Sequence, residues 1–162
     1  MTATRNSSAN RSGGFTLIEL LVVVAILGIL ATLIISVGSY VRTRQLEDTT
    51  KNTLRIIQLS VNVYKETKGS YPTANPAVTQ TTDTDRENRS KFLYTTLTSV
   101  SKAREALSNL PQESMAGGEF ADAFGKFIDY DPAGGAGGTP VLISAGQDGA
   151  FTTADDIRSD HR

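Results

Sequence analysis

Residues 13–36 read GGFTLIELLVVVAILGILATLIIS, and the nature of this stretch decides what the remainder of the chain can be. It follows a short leader that contains Arg5 and Arg11 and no acid. No charged residue occurs from Leu20 through Val41. As a helix those positions would extend roughly 33 Å at about 1.5 Å per residue, enough for the hydrocarbon core of a bilayer. One acid, Glu19, stands near the start of the apolar run. A charged group at mid-bilayer costs roughly 2.5–3.5 kcal/mol on insertion scales, so such a carboxylate calls for a partner. A cut between Gly14 and Phe15 would supply one: a new α-amino group one helical turn before Glu19. Two plainer readings fit less well. A secretory signal has a shorter apolar region with its small-residue cleavage site after it, whereas Gly14 precedes the run. A simple anchor has no use for Glu19. The basic leader is expected to stay on the cytoplasmic side.

Gly14, Phe15 and the run Thr16-Leu17-Ile18-Glu19-Leu20 resemble the N-terminus of the type IV pilin and type II secretion pseudopilin class. The resemblance implies that a prepilin peptidase cuts after Gly14 and methylates the new terminus at Phe15. It implies that Glu19 pairs with the amino group of Phe15, its own or a neighbour's, and so sets axial register during assembly. Many members of the class carry a proline near the position of Ser36, and this chain does not. Gly28 is the remaining weak point, since glycine costs about 1 kcal/mol in a helix interior.

At 162 residues the chain has room for this anchor and one modest domain. Losing Arg5 and Arg11 with the leader would take the 16 basic residues to 14 against 17 acidic. Lys and Arg are scattered, with no basic stripe, so nucleic acid is not an expected partner. The absence of cysteine excludes disulfides and thiolate metal sites, and a small exported domain then needs another staple.

Beyond Arg42 and Arg44 the helical pattern continues. Leu54, Ile57, Val61 and Tyr64 form an apolar stripe, and Gly69 with Pro72 predicts a stop. One helix from Phe15 to about Lys68 is expected, docking its second half on a head. Tyr64-Lys65 and Gly69-Ser70-Tyr71-Pro72-Thr73 resemble the pseudopilin helix end. Thr73–Ser90 is polar and threonine-rich and is expected to be a loop. Leu93, Leu97, Val100 and Leu107 predict a second helix over Lys91–Leu110, ended by Pro111. Phe127–Tyr130 and Val141–Ile143 are expected to pair as strands across the glycines at 134, 135, 137 and 138. DAFGKFIDY, residues 122–130, resembles the strand entry of the class, with Ala123 and Phe124 replacing its proline and tryptophan.

Ser144–Ile157 reads SAGQDGAFTTADDI. Asp148, Asp155 and Asp156 lie close together with no basic residue between them, and Gly146 and Gly149 let the backbone turn. On spacing alone this is either a solvated acidic tail or a cation loop. The stretch resembles the C-terminal loop of the major pseudopilins, which binds calcium. That resemblance implies Asp148 and Asp155 as side-chain ligands, with carbonyls around Ala145, Ala150 and Thr152 completing the shell. Asp156 caps the turn or pairs with Arg158. Hard oxygen ligands of these kinds suit calcium. Thr152 departs from the glycine, and Gln147 from the proline, that are frequent in the class.

Catalysis finds no support in the side chains. His161 is the only histidine, and the glycines at 134–138 lack the Lys-Ser or Lys-Thr sequel of a phosphate loop. The chain is therefore expected to be α+β and structural rather than enzymatic, with a leader at 1–14, a transmembrane and assembly helix at 15–41, and a stalk and head at 42–162. It would sit single-pass in the inner membrane with a periplasmic head, packed into a homo-oligomeric helical fibre of a type II secretion pseudopilus. Prepilin peptidase, minor pseudopilins and the inner-membrane assembly platform are the implied partners. A type IV pilin or competence-type minor pilin is the near alternative. A membrane-anchored ligand-binding module, using the 73–90 loop, is the alternative of another class.

Overall fold

The computed structural model describes residues 14–73 and 82–160, with the backbone alone for 33–39 and 116. Residues 1–13, the 74–81 part of the polar loop, the side chain of Ser36 and His161 lie outside the described residues. The chain falls into two compact units, Met1–Tyr40 and Val41–Arg162. Its elements make it α+β, and the first helix, α1 (Leu17–Lys68), contributes to both units. Among the described residues no helix is long and apolar enough to cross a membrane. The uncharged run of the sequence passes through 33–39, whose side chains are not described.

In the second unit, the apolar stripe of α1 becomes one wall of the core: Leu54, Ile57 and Val61 are fully buried, and Tyr64 packs half-buried beside them. The helix ends as glycine chemistry dictates. Gly69 takes a left-handed φ of 80°, and its N–H donates to the Lys65 carbonyl at 2.7 Å. Three further contacts bolt this part of α1 to the head. Ser60 Oγ donates to the Ala103 carbonyl at 2.8 Å. Thr50 Oγ1 accepts the Ala123 N–H at 3.2 Å, and Gln58 Oε1 accepts the Ser159 hydroxyl at 3.1 Å.

The second helix, α2 (Asp83–Ser99), starts eight residues before the position that apolar spacing gives. Residues 83–90 are thus helix rather than loop. Thr82 caps it: the Asp85 N–H donates to Thr82 Oγ1, and Thr82 N–H reaches back to the Asp85 carboxylate. The helix also stops earlier than expected. Val100 is extended (φ −102°, ψ 117°), separating α2 from the short α3 (Ser101–Ala106) and a 3-10 turn at Leu107–Asn109. Leu93, Leu97, Val100 and Leu107 nevertheless all reach the core, joined there by Phe120, Ile128 and Tyr130.

The sheet is antiparallel in the order β1 (Asp129–Asp131), β2 (Val141–Ser144), β3 (Ile157–Arg158). Asp129 stands opposite Ile143 and Asp131 opposite Val141, and Ser144 stands opposite Ile157. The expected pair is present, and the short β3 adds a third strand that carries the C-terminal loop back onto β2.

Candidate functional site

Two places concentrate the chemistry, one in each unit. At the start of α1, Glu19 Oε2 accepts the Thr16 N–H at 2.8 Å and the Thr16 hydroxyl at 2.7 Å, while the Glu19 N–H donates to Thr16 Oγ1 at 3.3 Å. With the helix beginning at Leu17, this is a reciprocal capping box that satisfies otherwise open helix-end donors. Thr16 is a partner of Glu19 that a focus on the amine of Phe15 missed, although the T-x-x-E spacing announces it. Phe15 itself is 83% exposed. Gly14 is exposed and open, with nothing within 4 Å of a side-chain position, so the bond between them stands clear of the described residues.

The second place is the loop between β2 and β3. It is rooted in a buried polar network. Asp122 Oδ1 accepts the N–H groups of Phe124 and Lys126 at 3.0 and 2.9 Å, and its Oδ2 accepts the Ser144 hydroxyl at 2.5 Å. Ser144 Oγ in turn accepts the Gly146 N–H at 3.2 Å. Burial raises the Asp122 carboxyl above the ordinary range, opposed by those hydrogen bonds.

Past Gly146 the loop folds on its own acids. Asp148 Oδ1 accepts the Ala150 N–H at 2.8 Å, and the Asp148 N–H donates to Asp155 Oδ2 at 3.0 Å. Thr153 donates its hydroxyl to Asp155 Oδ1 at 2.6 Å, and this bond, with the Asp148 N–H, holds the exposed Asp155 carboxyl below its ordinary value. A Cβ on Gly146 would run into the carbonyl of Asp155 and lie 2.7 Å from its Oδ2, so glycine is required for the closure. Thr152 adopts a positive φ of 69°, the only non-glycine among the described residues to do so.

Asp148 and Asp155 are thus brought together, with Ala145 fully buried behind them and Ala150 in the same turn. Asp156 acts as the capping alternative: its Oδ2 accepts the Thr152 N–H at 2.8 Å. Arg158 bonds Asp160 instead, at 3.0 and 3.1 Å. The other oxygen of Asp156, Oδ1, is buried with no hydrogen-bond partner. That orphaned carboxylate oxygen is the one feature of the loop that a cation would satisfy. No group of three or more His, Cys, Asp or Glu among the described residues is placed to hold a metal by itself, so backbone carbonyls would have to complete any shell.

Residues outside the acidic pattern hold the loop. Phe151 stacks on Phe127 with ring centroids 5.3 Å apart, and the Arg86 guanidinium lies 4.6 Å over the Phe151 ring. Arg86 also faces Asp83 at 3.2 Å and Asp129 at 3.5 Å, while Arg89 grips Asp129 through two bonds of 2.8 and 2.7 Å. A lone aromatic in an acidic loop was the available signal for Phe151.

Residues 9–35 match the family model described as the prokaryotic N-terminal methylation motif. The chain carries a prepilin-type N-terminus. The motif takes in Gly14, Phe15, Thr16 and Glu19, the residues just described at the head of α1. It implies a membrane-anchored N-terminus and supports the type IV pilin-like and pseudopilin superfamily. No curated protein matches the chain, and no solved structure does.

Proposed function

We propose that this protein is a structural pseudopilin of the major type, a subunit of a type II secretion fibre. The methylation motif over residues 9–35, with Glu19 inside it, carries the proposal. Prepilin peptidase removes residues 1–14 and methylates the amino group of Phe15. The helix over 15–41 holds the subunit in the inner membrane, with the stalk and head of 42–162 on the periplasmic side. In the fibre, the Glu19 carboxylate exchanges its Thr16 bonds for the cationic terminus of a neighbour, an attraction much stronger at low dielectric than in water. Minor pseudopilins and the assembly platform are the partners of such a subunit, and extension of the fibre serves the export of folded proteins.

Calcium is proposed in the C-terminal loop, where it would supply a divalent charge to neutralise mutually repelling carboxylates. Asp148 and Asp155 would hold it, with the carbonyls around Ala145, Ala150 and Thr152, while Asp156 caps the turn. The acidic loop in a chain without cysteine favours the secretion fibre over a surface pilus closed by a disulfide.

The deciding measurement is the mass of the N-terminal peptide of the protein from its native membrane. A methylated Phe15 terminus is expected. An intact Met1, or a cut elsewhere, refutes prepilin processing and with it the fibre. A Glu19→Val variant should still be cleaved and should yield few fibres.

A further inference from the structure

We propose that Phe151 and Arg86 are positioning residues for the cation of the C-terminal loop, and that through their contact cation binding and the first turns of α2 stabilise one another. The proposal rests on the calcium reading above. It adds what holds the shell in place and what binding does to the rest of the head. All the residues concerned lie in the second compact unit.

The loop is tied at two points to one short stretch of chain. At its base Ser144 donates to Asp122, and at its crest Phe151 stacks on Phe127. Asp122 also accepts the N–H of Lys126, the residue next to Phe127, so both ties end on the same folded segment. Asp148 lies between the ties in sequence, and Asp155 closes onto its N–H from beyond the crest. Phe151 stands between Ala150 and Thr152, the residues whose carbonyls would help to complete the shell. Fixing its ring therefore fixes the peptide groups on either side. Thr152 is held at φ 69°, a conformation that a β-branched residue keeps only where its surroundings over-determine it. Phe151 restrains it from one side. Asp156, which accepts the Thr152 N–H at 2.8 Å, restrains it from the other.

The Arg86 guanidinium, 4.6 Å over the Phe151 ring, joins this crest to α2. Arg86 is 8% exposed, and Asp83 and Asp129 balance its charge, so it can lie behind the loop without opposing a cation there. Residues 83–90 have no apolar side chain and are held to the head through Arg86, Arg89 and Ser90. A loop that opened would withdraw Phe151 from Arg86, and a frayed α2 would withdraw Arg86 from Phe151. Coupling between two such equilibria is reciprocal.

The full-length protein in detergent is stripped with chelator and titrated with calcium by calorimetry, as the wild type, Phe151→Ala and Phe151→Tyr. Phe151→Ala should bind calcium about 10–100-fold more weakly, the range expected when a group that orients metal ligands is lost. Phe151→Tyr, which keeps the ring, should bind as the wild type does. Hydrogen exchange of the wild type with and without calcium needs no variant. The amides of 85–90 should exchange about fivefold more slowly with calcium, read at times when the buried stretch 54–64 of α1 has not yet exchanged, so that the change is local. Equal calcium affinity in the wild type and Phe151→Ala overturns the proposal, even where the variant melts lower in chelator, because Phe151 then only packs. Exchange at 85–90 that bound calcium leaves unchanged also overturns it, while leaving the calcium site intact. A wild type that takes up no calcium overturns the calcium reading and this proposal together.

Discussion

Asp129 is a point where a single change should cost the head much of its stability. The residue is 3% exposed in the first position of β1, and its carboxylate takes two bonds from Arg89 with a third contact from Arg86. The two guanidinium side chains are only 13% and 10% exposed. Asp129→Ala would leave both cations buried beside a small void. Breaking a buried pair by removing one partner costs about 3–5 kcal/mol, because the remaining charge cannot recover its hydration. For a head of this size each kcal/mol moves the melting temperature by roughly 3–5 °C, so a fall of about 10–20 °C is expected. The assay is thermal unfolding of the full chain in detergent, followed by tyrosine fluorescence. The chain has no tryptophan, and Tyr130 is fully buried with its hydroxyl on the Pro72 carbonyl at 2.9 Å. Asp83→Ala is the control. Asp83 pairs with Arg86 from a position 76% exposed, and loss of such a pair should cost under about 1 kcal/mol. Replacing Arg86 and Arg89 by Met together with Asp129 by Leu should recover much of the loss, since apolar groups of similar volume carry no desolvation penalty. A melting temperature for Asp129→Ala within about 3 °C of the wild type would refute the reasoning.

Three more outcomes are expected. Asp122→Asn should gain stability relative to the wild type as pH rises. The raised folded pKa of Asp122 contributes stability below the ordinary carboxylate range that is lost as pH climbs through the folded value, and urea titrations at pH 4 and pH 7 would show the difference growing. Thr152→Gly should raise stability by about 0.5–1 kcal/mol, because it relieves a left-handed β-branched residue while keeping the backbone bond to Asp156; an unchanged or lower melting temperature counts against strain at this site. Excess calcium over chelator should raise the wild-type melting temperature by several degrees, about 2.7 kcal/mol at a hundred times the dissociation constant, and Asp148→Ala should abolish the gain; an equal gain in the variant removes Asp148 from the site.

Much of the fold is legible wherever burial is apolar. The stripe from Leu54 to Tyr64, the Gly69 stop and the pairing of the 127–130 and 141–143 segments each follow from one local rule. The start of α2 is not legible by that route, because residues 83–90 read DTDRENRS and contain no apolar residue. That turn is held through Arg86 and Arg89 on Asp129, and through Ser90 Oγ, which accepts the Phe120 N–H at 3.2 Å. Hydrophobic periodicity is silent about such contacts, and only the T-x-x-D capping signal at Thr82 remained. The C-terminal loop divides in the same way. Its acids are visible as a pattern, whereas the support from Phe127, Phe151 and Arg86 comes from residues up to 65 positions apart in the chain. The two-residue β3 has too little sequence to declare a strand.

The attachments of Thr50, Gln58 and Ser60 to the head have a mechanical meaning. They lie along one stretch of α1, within about 15 Å, and reach segments at 123, 159 and 103. A pull along the helix axis would load all three at once, in shear, together with the buried Leu54, Ile57 and Val61. Bonds loaded side by side share tension, whereas bonds opened one after another fail singly. A head held in this manner would travel with the stretch of α1 beyond Val41, so a push applied to that stretch would arrive as displacement of the whole head rather than as local unravelling.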